Sequence, residues 1–210
     1  MMATASSPRL DTAVGHRSSR AAHWLAGTGD GADLERHVHL VVFGLPGSGT
    51  STVGRLVAHE LQRPYVDHDS IVALGRDDAN GSAVDDPDED HAAVCRVLGT
   101  HASVVYGLGG HVVEHLAPAD LEDAYLVWLD ASPEVVADRI GEREHPALGP
   151  EPLPALRSLA ARLEPVVGEL CDLRVDIDHT EPADAAEQIR RAWRRHVDEV
   201  ESRRPTRRVS

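Results

Sequence analysis

Two short stretches carry residue types that could do chemistry: GLPGSGTS, from Gly44 to Ser51, and DHD, from Asp67 to Asp69. The first fits the phosphate-cradling pattern G-x-x-x-x-G-K-[ST] at every position but one, because the lysine is Thr50. In such a loop the inward-pointing backbone amides and the positive end of the following helix hold phosphate oxygens. Gly44, Leu45, Pro46, Gly47, Ser48, Gly49, Thr50, Ser51 and Thr52 are therefore the expected nucleotide-binding segment, with the Ser51 hydroxyl placed for Mg²⁺. In DHD, two carboxylates flank one residue at the end of a predicted strand, so Asp67 and Asp69 should share a face and His68 should point away. One carboxylate can hold a Mg²⁺-bound water while the other accepts a proton from a substrate hydroxyl. The competing readings are a glycine-rich turn without a ligand and an acidic pair that caps the next helix.

The elements that must position these residues follow a regular rhythm. VHLVVF, from Val38, is a short apolar run leading straight into the loop, as expected of a parallel strand buried on both faces. TSTVGRLVAHELQ then puts Val53, Leu56, Val57 and Leu61 on one helical stripe. Further strands are predicted at PYVD, ASVVYG, AYLVWLD and LRVDID, with helices near His91–Leu98, from SPEVVADRI, at 155–170 and from Pro182 to about Val197. That alternation predicts a three-layer α/β/α sandwich around a parallel five-stranded sheet. The expected boundaries are a flexible tail over 1–36, a domain over 37–197 and a flexible basic tail over 198–210. Gly75–Asp90 reads as an acidic mobile excursion, and 141–154, rich in proline and glycine, as a lid.

The formal charge of −14 argues against nucleic acid or an anionic membrane surface as the main partner. Two cysteines, Cys95 and Cys171, are too few for a disulfide framework or a cysteine-based zinc site, and a reducing cytoplasm is the expected compartment. No apolar run approaches the roughly 18 residues that would span a bilayer.

GLPGSG-x-STVGR, YVDHDS, the glycines after the third strand, VWLDASPEVVADRI, the proline-containing lid and RVDID together resemble the shikimate kinase family, from about Val38 to Arg194. The resemblance implies a P-loop kinase fold and transfer of the γ-phosphoryl group of Mg·ATP to a hydroxyl of a small substrate, by a monomer. It implies that Ser51 and Asp67 serve the metal, partly through water, and that Asp69 holds and deprotonates the accepting hydroxyl. It also implies substrate contacts at Gly109 and Gly110, with Leu108 before them, and places Arg139 against the adenine. The departures lie at the cations. Thr50 stands at the lysine, and Arg96 lies late of the expected substrate arginine. His145 stands at the lid arginine with Arg143 close by, and Leu163 stands where an arginine is expected, with Arg162 one step away. Arg143 is the candidate to act in catalysis and Arg162 in substrate binding. An acidic pocket short of guanidinium groups suits a neutral cyclitol or polyol better than the carboxylate of shikimate.

Two other readings stand beside the kinase. A catalytically silent nucleotide-binding protein would use the loop for regulation or assembly, but would have no physical need for Ser51, Asp67 and Asp69 together. HVVEH, His111 to His115, matches the H-x-x-E-H zinc pattern and requires a helix that brings both histidines to one face.

Overall fold

The computed structural model describes residues 38–75, 86–100, 103–121, 124–141, 148 and 151–202. β1 (His39–Gly44) is buried along its whole length. It lies at the centre of a sheet ordered β2-β3-β1-β4-β5, whose other members are β2 (Tyr65–Asp67), β3 (Val105–Gly109), β4 (Ala124–Asp130) and β5 (Leu173–Asp176). Every strand pairing is parallel. The helices are α1 (Thr50–Leu61), α2 (His68–Gly75), α3 (Pro87–Leu98), α4 (Gly110–Val113), α5 (Pro133–Ile140), α6 (Pro152–Leu170) and α7 (Pro182–Ser202), with a 3₁₀ turn at Pro118–Leu121. The three-layer α/β/α architecture expected from the strand rhythm is the one observed.

Register fixes what meets at the carboxyl edge. Gly44 lies opposite Gly109 on one side and Leu129 on the other, and Asp67 lies opposite Gly107. The ends of β1, β2 and β3 therefore open onto one crevice, the place where an open parallel sheet binds ligands. The core is largely aliphatic, with Trp193 of α7, Tyr106 and Phe43 as its fully buried aromatic side chains. Tyr125 meets Trp193 edge-on at 5.4 Å, and Arg63 sits 4.9 Å over its ring. Trp193 is thus a core residue.

The structure differs from the sequence reading in three places. DHD does not lie on one strand, because β2 ends at Asp67 and His68 opens α2. The acidic stretch expected as a mobile excursion ends in the first turn of α3, where the Asp86 carboxylate caps the helix by accepting from the Asp88 amide at 3.0 Å. Residues 76–85 lie outside the described residues. So does most of the expected lid, whose last residues, from Pro152, already belong to α6. Among the described residues no helix is long and apolar enough to cross a membrane.

Candidate functional site

The loop after β1 turns sharply, with the Ser48 amide donating to Leu45 O at 2.9 Å. Gly47 and Gly49 hold φ of 86° and 94°, a left-handed region that side chains disfavour. A Cβ on Gly47 would also come within 2.9 Å of Ile140, whereas nothing lies within 4 Å of one on Gly49. Gly49 thus borders open space at the head of α1, whose first turn carries no acidic residue, and the positive end of the helix is left for an anion. Ser48 is buried, and its hydroxyl lies 3.2 Å from that of Thr50.

Asp67 Oδ2 accepts from Ser51 Oγ at 3.1 Å and from the Tyr65 hydroxyl at 3.2 Å. The loop and the aspartate pair, sixteen residues apart in sequence, are thus joined directly. A hydroxyl and a carboxylate at this spacing are hard oxygen donors of the kind Mg²⁺ prefers, so the residues fit that ion. Burial, reinforced by the Asp67 carboxylate, raises the Tyr65 phenol above its usual range, although the Ser51 hydroxyl opposes the shift. Tyr65 therefore stays a neutral donor.

Asp69 is exposed in the first turn of α2 and lines the same cleft as Asp67. The period-two argument for placing both carboxylates on one face does not apply, because the chain passes from strand to helix between them. They are brought together by the turn instead. His68 is buried, with Nδ1 2.7 Å from the Tyr106 hydroxyl and Nε2 2.9 Å from Asp90 Oδ1. Burial, with the nearby Asp90 and Asp67 carboxylates, pushes the Tyr106 phenol far above its ordinary value.

The cleft has a volume of about 320 Å³ and is lined by 44–47, 49–52, Asp67 to Asp69, Gly107 to Gly109 and His111. Gly109, which the resemblance offers for substrate contact, is in its wall beside Leu108. Gly110 is not among these lining residues, because it is buried where a Cβ would stand 2.9 Å from Gly44 O and 2.8 Å from Leu163. Its smallness serves packing. A second cavity of about 440 Å³ shares Pro46 and His111 with the first and is walled on its far side by Asp90, Glu114 and Arg162. There Arg162 donates to both oxygens of Glu114, at 2.5 and 3.2 Å, and to Ser158 Oγ at 2.8 Å.

Arg139 is not in either wall, and its guanidinium donates to Ile177 O at 2.6 Å. Arg143 and His145 lie outside the described residues. The zinc reading of HVVEH does not hold, because α4 ends at Val113 and Glu114 is committed to Arg162. Among the described residues neither histidine of that motif belongs to a group of three converging metal-ligand side chains. Sequence reasoning missed the His68–Asp90–Tyr106 cluster and the Glu114 partner of Arg162. A buried acid inside an acidic run has no local signature, and only the spacing of Asp90 as the fourth residue of a helix could have hinted at an inward face.

The chain matches the family model for shikimate kinase over residues 46–194. A shikimate kinase of Symbiobacterium thermophilum is 33% identical over 163 residues, covering 72% of this chain and 94% of the relative. One from Pseudomonas fluorescens is 32% identical over 154 residues, covering 69% and 89%. Among solved structures, the fold is similar to shikimate kinase from Acinetobacter baumannii in complex with shikimate, with a TM-score of 0.63, 20% identity, and coverage of 73% of this chain and 92% of that one. It is also similar to a gluconokinase from Sinorhizobium meliloti, with a TM-score of 0.56, 22% identity, and coverage of 78% and 95%. With the phosphate loop and the aspartate pair facing one crevice, the chain belongs to the shikimate kinase family and is a kinase of a small molecule.

Proposed function

We propose that the chain transfers the γ-phosphoryl group of ATP, with Mg²⁺, to a hydroxyl of a neutral cyclitol or polyol, shikimate being the poorer acceptor. The observation that carries the choice is the pairing of Arg162 with Glu114. Among the described residues it is the arginine in the cavity walls, and both its donor edges are already given to a carboxylate and a serine. An acceptor carboxylate entering there would meet Asp90 and Glu114 with no guanidinium free among the described residues of the wall, whereas a neutral hydroxylated ring can donate to them.

In this reading the amides from Gly47 to Thr52 hold the phosphates. Ser51 and Asp67 hold the ion, which neutralises phosphate charge when bound. Asp69 takes the proton of the accepting hydroxyl as its oxygen bonds to the γ-phosphorus. The bond from that phosphorus to the bridging oxygen breaks, and ADP leaves with the electron pair. The chain contains no lysine, so arginine is the one side chain that can supply a permanent positive charge to the transferred group. We assign that role to Arg143 and the adenine contact to Arg139.

A screen with γ-labelled ATP over shikimate, quinate, gluconate and cyclitols tests the reading. The expected result is transfer to a neutral polyol that exceeds transfer to shikimate and is lost in Asp69→Asn. Family-like turnover on shikimate alone would overturn the acceptor assignment. Nucleotide binding without transfer to any acceptor would favour the silent nucleotide-binding reading, which the threonine at position 50 supports.

A further inference from the structure

Outside the cleft, three side chains of different chemistry converge on the surface between α3 and the 3₁₀ turn. His91 and Cys95 stand one helical turn apart on α3, and Asp120 comes from the 3₁₀ turn. His91 Nε2 lies 3.2 Å from Asp120 Oδ1 and 3.6 Å from Cys95 Sγ, and the three ligand atoms all fall within 4.8 Å of one another. Tetrahedral zinc, with bonds of about 2.0–2.1 Å to nitrogen and oxygen and about 2.3 Å to sulfur, separates N from O by about 3.3 Å and N from S by about 3.6 Å. The two separations from His91 match edges of that tetrahedron, and the third, between Cys95 and Asp120, falls within 4.8 Å.

The carboxylate is also held for the task. Asp120 Oδ2 accepts from the Ala117 amide at 2.8 Å, which fixes the group and turns the other oxygen toward His91. His91 and Cys95 are exposed and Asp120 is half-buried, so an ion can enter and keep a water as its fourth ligand. Imidazole, thiolate and carboxylate together select a borderline transition cation over Mg²⁺, which prefers the all-oxygen set at Ser51 and Asp67.

We propose that His91, Cys95 and Asp120 form a binding site for a divalent transition cation of the zinc type, separate from the phosphate-transfer cleft. An ion there would clamp α3 to the 3₁₀ turn. It would do so one residue from Asp90, the buried acid that holds His68 between the two cleft aspartates.

Titration of the full chain with Co²⁺, which reports thiolate ligation through a ligand-to-metal charge-transfer band, tests the site. One equivalent should develop the band, and Zn²⁺ should displace it. Cys95→Ala should abolish the band and Cys171→Ala should leave it intact. His91→Ala should weaken Co²⁺ binding by about tenfold or more, as should Asp120→Asn, which keeps an oxygen for the Ala117 amide. All four positions are read against metal-free melting curves to establish that each variant is folded. A band of full amplitude in Cys95→Ala, or Co²⁺ binding by the native chain with no thiolate band, would overturn the proposal.

Discussion

Asp90 of α3 lies 2.9 Å from His68 Nε2, and both side chains are almost wholly withdrawn from water, at 7% and 2% exposure. The acid at the end of an acidic run is thus a structural tie to the residue between the cleft aspartates. Replacing it with alanine leaves a buried ring nitrogen without its partner, which costs about 1–3 kcal/mol. Asp90→Ala should therefore lower the urea midpoint by a corresponding amount with an unchanged slope. Asp90→Asn, whose amide oxygen can still accept from the ring, should lose less. Because His68 is covalently flanked by Asp67 and Asp69, turnover should fall in the alanine variant even where the protein is fully folded. Undiminished turnover in folded Asp90→Ala would show that the tie does not position the cleft.

The two cleft aspartates should separate by readout. Asp69 is exposed and free of the Ser51 contact, so Asp69→Asn should cut phosphoryl transfer by about 10²–10⁴-fold, the usual worth of a positioned base. Stabilisation by Mg·ATP should remain, about 2.7 kcal/mol at a hundredfold excess over Kd. Asp67 shares its Oδ2 between Ser51 and Tyr65, so Asp67→Asn should weaken the Mg²⁺ dependence of nucleotide binding itself. Thermal shifts with ATP, with and without Mg²⁺, distinguish the two. Equal loss of the Mg·ATP shift in both variants would refute the division of roles.

What could be read in advance followed local physics. β4 was legible residue for residue because AYLVWLD is a continuous apolar run, and the loop because glycine is needed where φ is positive. α2 was not legible, since HDSIVALG is short and its apolar residues sit together rather than at helical spacing. The contacts that shape the site span long separations: His68 to Asp90, Ser51 to Asp67, and Arg162 to Glu114, which are 48 residues apart. None was foreseen as a contact, although the resemblance gives Ser51 and Asp67 to the same metal ion. Complementary charge in sequence does not say which arginine finds which acid, so Arg162 read as a substrate ligand is found paired within the protein. Cys95 carried no role in the sequence because its neighbour Asp120 is 25 residues away on another element.

Thr50 is the first residue of α1, with its hydroxyl 3.2 Å from Ser48 Oγ. Thr50→Lys would put an ammonium beside the phosphate cradle in a chain that otherwise has none. Preorganised cations at a transferring phosphoryl group act mainly on the rate, so kcat should rise by about tenfold or more with a smaller change in the KM for ATP. A cation at a helix N-terminus is unfavourable by about 0.3–1 kcal/mol, so the same variant should be slightly less stable without nucleotide. An unchanged kcat would indicate that an arginine already fills the role, and Arg143→Ala should then abolish transfer.

The absence of lysine also isolates the alkaline limb of stability. Cys171, between α6 and β5, donates its thiol to Leu173 O at 2.8 Å, and burial pushes its pKa from 9.0 up to about 12. The Tyr106 phenol is raised further, again chiefly by burial. In both cases the native state keeps a proton that the unfolded chain releases at lower pH. Stability is therefore fully present below about pH 9 and falls as pH rises toward 12. Arginine stays charged throughout this window, so the titration of a lysine-rich surface that blurs the effect in most proteins is missing here. Urea midpoints should decline from about pH 9 upward, and Cys171→Ala should decline less between about pH 9 and about pH 11 while retaining the steeper loss due to the phenols. Parallel curves for the native chain and Cys171→Ala would mean that the thiol is not held protonated by the fold.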